Sequence, residues 1–253
     1  NRFYVLSAAF EHRFTKAEVQ TINDRVEQVV TVLEEQEAVL GAMTHVESTE
    51  LFSRCYPLHP VSALLLPSLC QKIAQNERTL FSYLGSHEEF GLQDMLTKIQ
   101  IAGDFIYPHH IYDYFITNQS SALGDYMTHR RWAEVVTAVE RLGGAPDEDI
   151  NLLKTIGILN IIGAKGGFKS SKAILELCSD KKSLFTKSIN NLKEKSVVNF
   201  RRYSSEFRVW QGSDFDLEEA VQQELNNLGA FTLANELNNS ASMMPIVARR
   251  YTI

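Results

Sequence analysis

The sequence predicts a mostly α-helical protein whose later part closes with three helices and a β-hairpin. Three observations carry this. Apolar residues recur at helical spacing over most of the chain. Turn and stop signals at Tyr56–Pro60, Gly85–Gly91 and Gly143-Gly144 divide the helical patterns. Strand-like character is confined to Val197–Tyr203, Glu206–Trp210 and the two ends of the chain. At 253 residues the chain can bury a large core in one or two domains. Its 44% hydrophobic and 22% charged residues are those of an ordinary globular protein.

The elements follow in order. Glu18–Leu40 is apolar at Val19, Ile22, Val26, Val29, Val30 and Leu33, which is a helical period. The β-branched run Val29–Val32 leaves open a short strand entering a helix Glu34–Met43. Tyr56–Pro60 is a rigid turn, because two prolines within four residues block a helix. Ser62–Gln75 is a strongly apolar helix, and Asn76–Leu84 a second short one. Gln93–Gln100 is a further short helix. Pro108 opens an aromatic helix, Ile111–Thr117. Arg130–Leu142 is amphipathic, with Trp132, Val135, Val136, Val139 and Leu142 on one face, and Gly143-Gly144 stops it. Asp147 and Asp149 place acids at the next helix start. Helices Asp149–Ile162, Ser170–Ser179 and Lys182–Lys195 follow, then the hairpin turned over Ser204-Ser205. This order is that of a winged helix. Beyond it, Gly212–Asp214 is a turn and Asp216–Leu228 a polar-faced helix.

Charge is uneven. The chain carries −6 overall, yet Lys181, Lys182, Lys187, Lys193, Lys195, Arg201, Arg202 and Arg208 face only Glu194 and Glu206 in the winged-helix stretch. Local cations, rather than net charge, mark a nucleic-acid or partner surface. The candidate contacts are Lys182, Lys187, Lys193, Arg201, Arg202 and Arg208. Phe200, Tyr203, Phe207 and Trp210 alternate among them and are expected to pack the hairpin onto its helices. Duplex binding through these cations would be weak, dominated by phosphates and little dependent on sequence.

No self-sufficient active site is legible. Gly163–Ser170 imitates a phosphate-binding loop, but Phe168 replaces its second glycine and the segment follows a helix instead of a strand. A glycine-rich helix–helix turn is the better reading. Among seven histidines, adjacent His109 and His110 cannot both reach one metal from a regular helix, and His59 between prolines suits a structural hydrogen bond. Glu34-Glu35 and Glu88-Glu89 read as solvated faces. Cys55, Cys70 and Cys178 are distant, odd in number and without metal-ligand spacing, which suits reduced thiols in a cytoplasmic protein. No apolar run approaches the roughly 20 residues of a membrane span. The chain begins at Asn1 within an apolar pattern and ends in the strand-like Met244–Ile253, as an excised piece of a longer polypeptide would.

Tyr56–Ala63 running into Gln75–Leu84 resembles a segment of large bacterial P-loop ATPases of the AAA+/STAND type, several of them in anti-phage defence systems. Ile111–Phe115, Arg131–Glu134, Leu153–Gly163, Phe207–Asp216 and Pro245–Tyr251 resemble the same group in the same order. In such ATPases a nucleotide-binding core precedes a helical lid and a winged helix. The chain has neither a Walker A loop nor a Walker B strand. The resemblance therefore implies the end of a core or connecting helices at 1–50, a helical lid-like domain at 51–146, a winged helix at 147–212 and the start of a further domain at 213–253. It implies that a lid arginine touches the nucleotide phosphates, Arg78 first and Arg25 second. ATP and magnesium would bind the full-length protein and not this chain. The missing core and downstream domains would be its first partners, DNA another, and homo-oligomers would form through the ATPase. The expected function is nucleotide-state sensing coupled to partner or DNA binding. The alternative is a stand-alone winged-helix transcriptional regulator.

Overall fold

The computed structural model describes residues 6–11, 13–36, 43–73, 78–99, 101–118, 126–162, 169–179 and 181–210, the side chains of 72–73, 78 and 126–128 excepted. The chain divides into two compact units, Asn1–Gly212 and Ser213–Ile253. The expected turn and helix after Trp210 and the strand-like C-terminal run lie outside the described residues, which belong to the first unit; near the N-terminus residues 6–8 are helical, not strand.

That unit is mostly helical. Helix α1 (Lys16–Glu35) begins on a reciprocal cap: Thr15 N–H donates to Glu18, and the Thr15 hydroxyl accepts from Glu18 N–H. It runs unbroken through Val29–Val32, so no strand interrupts it. Ile22, Val26, Val29, Val30 and Leu33 form its buried face. Burying a valine is worth about 1.5–3 kcal/mol, which outweighs a helix-propensity cost of roughly half a kcal/mol. Helix α2 (His45–Arg54) starts on a second such cap, Thr44 with Glu47, and packs along α1.

Helix α3 (Pro60–Ile73) follows the cis Tyr56–Pro57 bond. Leu58 pairs with Ile106 in a parallel bridge, closed by His59 N–H to the Ile106 carbonyl at 3.1 Å and Ile106 N–H to the Pro57 carbonyl at 2.8 Å. Helices α4 (Arg78–Gly85) and α5 (Leu92–Lys98) are short, and α6 (Pro108–Asn118) and α7 (Tyr126–Arg141) are longer. Gly144, at φ +78°, turns the chain out of α7. Helix α8 (Asp147–Ile162) is the hub: from Leu152 to Ile162 only Lys154 is not buried. A helix apolar all round belongs inside, and α3, α6, α7 and the C-terminal elements surround it. Gly157 is there for closeness. A Cβ on it would lie 2.4 Å from Val135 Cγ1 of α7.

Helices α9 (Lys172–Leu177) and α10 (Lys182–Glu194) precede strands β1 (Val198–Arg201) and β2 (Glu206–Val209). The strands are antiparallel with Val198 opposite Val209 and Arg201 opposite Glu206. This two-stranded sheet joins an otherwise helical fold. Its outer edge is sealed. Phe207 N–H donates to the Ser170 carbonyl at 3.0 Å. The Phe207 carbonyl accepts from Asn160 Nδ2 at 3.0 Å and from the Ser170 hydroxyl, and Val209 N–H donates to Asn160 Oδ1 at 2.9 Å. One buried asparagine of α8 thus substitutes for a neighbouring strand. Among the described residues no helix is long and apolar enough to cross a membrane.

Candidate nucleic-acid interface

Helix α10 buries Phe185, Ser188, Ile189 and Leu192 against α8 and the hairpin. With that phase set, Lys182, Ser183, Thr186, Lys187, Asn190 and Lys193 fall on the opposite, exposed face. The neighbouring Asn191 is committed elsewhere: its amide donates to the buried Asp149 at 3.0 Å.

The candidate cations divide by environment. Lys182, Lys187 and Arg202 are exposed and have no carboxylate within ion-pair distance among the described residues. Lys193 has none either, and its ammonium lies over the Phe207 ring at 5.2 Å and the Phe200 ring at 6.0 Å. Arg201 donates to the Tyr203 hydroxyl at 3.3 Å. Arg208 is held at both Nε (2.9 Å) and Nη2 (2.8 Å) by Glu206, a carboxylate only 7% exposed. Its charge is neutralised inside the strand, which removes it from the free cations. The sequence pattern contains this pairing, since residues two apart share one strand face. Lys181 is neutralised by Glu148.

Lys182 occupies the first turn of α10, where the helix macrodipole disfavours a cation by roughly 0.3–1 kcal/mol. Among the described residues no side chain caps this end of the helix. A phosphate approaching it would meet both the ammonium and unpaired backbone N–H groups. Of the aromatic residues expected to pack the hairpin onto its helices, Phe207 is buried and meets Phe200 across the strands with ring centres 4.8 Å apart, whereas Phe200 and Tyr203 stand exposed.

The two candidate nucleotide-sensing arginines sit in the N-terminal part. Arg78 opens α4, and its side chain lies outside the described residues. Arg25 donates to the Gly103 carbonyl, while Gly103 N–H donates to the Tyr56 hydroxyl at 3.0 Å. Arg25 therefore fastens the loop before Phe105 to α1. Of the phosphate-loop imitation, residues 163–168 lie outside the described ones. Ser170 is the buried residue that anchors β2.

His59, His109 and His110 form a column with Tyr107 in which His59 and His109 are buried. His59 caps α3, its Nδ1 accepting from Val61 N–H at 3.2 Å. Its ring stacks on Tyr107 at 5.1 Å, and Tyr107 stacks on His109 at 6.0 Å. His110 Nδ1 accepts from Tyr107 N–H at 3.0 Å. Burial, reinforced by Lys182, holds His59 down to about 3 against its hydrogen bond with the Leu177 backbone. Burial with Lys154 and Lys98 nearby holds His110 down to about 4. Burial, then His110 and Lys154, lowers His109 well below its ordinary value. These rings are neutral packing elements between α3, α6 and the C-terminal helices.

Other chemistry is sparse. Cys55, Cys70 and Cys178 are buried and not joined in disulfides, and burial pushes Cys55 up to about 12. A groove of about 550 Å³ between α1 and α2 is floored by Val19, Ile22 and Val46 and rimmed by Glu27 and the Glu50–Arg54 ion pair. Among the described residues no group of three or more His, Cys, Asp or Glu side chains is placed to hold a metal ion. Comparison with protein-family models, curated proteins and solved structures finds no match to this chain.

Proposed function

We propose that residues 147–210 are a winged helix that contacts duplex nucleic acid through α10 and the wing, as part of a larger ATP-dependent polypeptide. The order α8, Ser170, α9, α10, β1, β2 supports the winged-helix reading. Ser170 pairs with β2 as a short first strand would, which leaves α10 as the helix presented to solvent. The observation that carries the functional reading is the charge on that face. Lys182, Lys187, Lys193 and Arg202 stand exposed without carboxylate partners among the described residues, in a chain of net charge −6. Lys154, Lys181 and Arg208 of the module are neutralised by Asp113, Glu148 and Glu206. The ATPase context, with ATP and magnesium held elsewhere in the polypeptide, rests on the sequence resemblance. So does the nucleotide-sensing role of Arg78 and Arg25.

Fluorescence anisotropy with a labelled duplex tests the reading. About three phosphate contacts give a slope near −2.7 in log affinity against log salt, or about 40-fold weaker binding between 50 and 200 mM. Replacing Lys182 and Arg202 together by alanine lowers affinity and flattens that slope by about 2. No binding to any duplex at low salt would make this face a protein-docking surface instead.

A further inference from the structure

We propose that the cavity between α6, the start of α8 and the α9–α10 connection binds a short amino alcohol, its ammonium on Asp147 and its hydroxyl on His109. The site stands apart from the duplex reading and does not depend on it. The cavity measures about 230 Å³. At roughly 30 Å³ for a water-sized group, it has room for about seven or eight non-hydrogen atoms. His109 lines it and is only 4% exposed. Its Nδ1 is enclosed without a partner, and the ring makes no hydrogen bond among the described residues. Its neighbours differ: His59 accepts from Val61 N–H and His110 from Tyr107 N–H. A buried ring without a partner bears the desolvation cost of its polar atoms uncompensated. A ligand that completes its hydrogen bonding is favoured there.

The charges of the lining set the ligand's polarity. Glu148 and Lys181 both line the cavity and neutralise one another. Asp147 has no cation within ion-pair distance among the described residues. It shares the first turn of α8 with Glu148 and Asp149, so three acids meet a helix end worth about half a positive charge. Burial keeps the His109 ring neutral, and one negative charge stays uncompensated. Among the described residues no group of three or more His, Cys, Asp or Glu side chains is placed to hold a metal ion. An organic cation fits where a metal ion does not. Leu152 and Cys178 give the cavity an apolar wall for a hydrocarbon chain, and Asn151 and Ser179 add polar groups beside it. At the far end of the ligand a hydroxyl suits His109, because it both donates and accepts and so meets either tautomer of the ring. A second ammonium would only donate. A carboxylate would find as its one cation Lys181, already held by Glu148.

The test is an NMR titration of the whole isotope-labelled chain with 4-amino-1-butanol, butylamine and 1,4-butanediol. Saturable shifts at millimolar 4-amino-1-butanol are expected in the amides of His109, Asn151, Leu152 and Ser179. Butylamine lacks the hydroxyl and is expected to bind about 2- to 10-fold more weakly; 1,4-butanediol lacks the charge and is expected to bind about 10-fold more weakly or worse. Asp147→Asn is expected to weaken the amino alcohol by about the same 10-fold and to leave the diol unchanged. His109→Leu is expected to erase the difference between 4-amino-1-butanol and butylamine. If that variant does not fold, the wild-type comparison and Asp147→Asn decide. Absence of saturable shifts, equal binding of the three compounds, or shifts centred outside the cavity would overturn the proposal. Each of these results leaves the duplex reading standing, since that reading is tested by salt-dependent anisotropy.

Discussion

Acid should loosen this protein through its buried histidines. An unfolded histidine titrates near 6.5, whereas folded His59 is held down to about 3 and His110 to about 4. Between these limits the unfolded chain takes up protons that the folded chain refuses. The histidines' contribution to stability is therefore complete above about pH 6.5 and is lost as pH falls toward 4 and 3. At about 1.4 kcal/mol per pH unit, lowering pH from 7.5 to 5 removes about 2 kcal/mol at His59. His110 is partly exposed, and solvent screening reduces its share to about 1–2 kcal/mol. The pair together loses about 3–4 kcal/mol, a large part of a typical 5–15 kcal/mol. The assay is urea unfolding followed by tryptophan fluorescence at pH 7.5 and 5, on wild type and on a His59→Asn/His110→Gln variant. Asparagine is a preferred helix cap and can still accept from Val61 N–H. Glutamine at the third position of α6 can still accept from Tyr107 N–H. The variant should lose about 3 kcal/mol less than wild type over this interval. Equal losses in the two proteins would refute the reasoning.

Three further perturbations have defined outcomes. Gly157→Ala drives a methyl into Val135 and should cost about 1–3 kcal/mol by overpacking, read as a lowered urea midpoint; an unchanged midpoint would mean that α7 and α8 yield freely. Asn160→Leu removes the side chain that accepts from Val209 N–H and donates to the Phe207 carbonyl. It should cost about 2–4 kcal/mol, with hydrogen exchange accelerating first in 206–209. Lys154→Met leaves Asp113, its partner at 2.7 Å and 17% exposed, without a counter-charge. Its desolvated carboxyl, already raised by burial, should rise further in an NMR titration, and stability should fall by about 2 kcal/mol for a pair that is not fully buried.

Much of the helical order is legible in the sequence because burial writes itself as periodicity. The apolar hub α8, the amphipathic α7 and the short hairpin all follow from it. The β-branched run in α1 was ambiguous because propensity and burial pull in opposite directions at Val29 and Val30, and burial prevails. Helix α2 escapes the periodicity argument, having few apolar residues. Its signature is instead local, in Thr44 and Glu47, which spell a reciprocal cap. The role of Asn160 was visible only as a lone polar residue inside an apolar run. Its partner strand lies 47 residues away, and no local rule predicts it. Within the candidate interface, composition located the cations but could not sort them. Arg208 and Lys181 are neutralised, whereas Lys182 and Lys187 are not, and that difference is set by tertiary placement. The phase that exposes Asn190 and turns Asn191 toward Asp149 is likewise fixed by which side of α10 meets α8.

We propose that the exposed face of α10 and the wing form the contact surface for a duplex. Hydrogen exchange with and without a saturating low-salt DNA duplex tests it most directly, residue by residue. Added protection is expected only in Lys182–Lys193 and Arg201–Ser205, with α1 and α2 unchanged. Protection centred on the α1–α2 groove, or none anywhere while the duplex is bound, would contradict it.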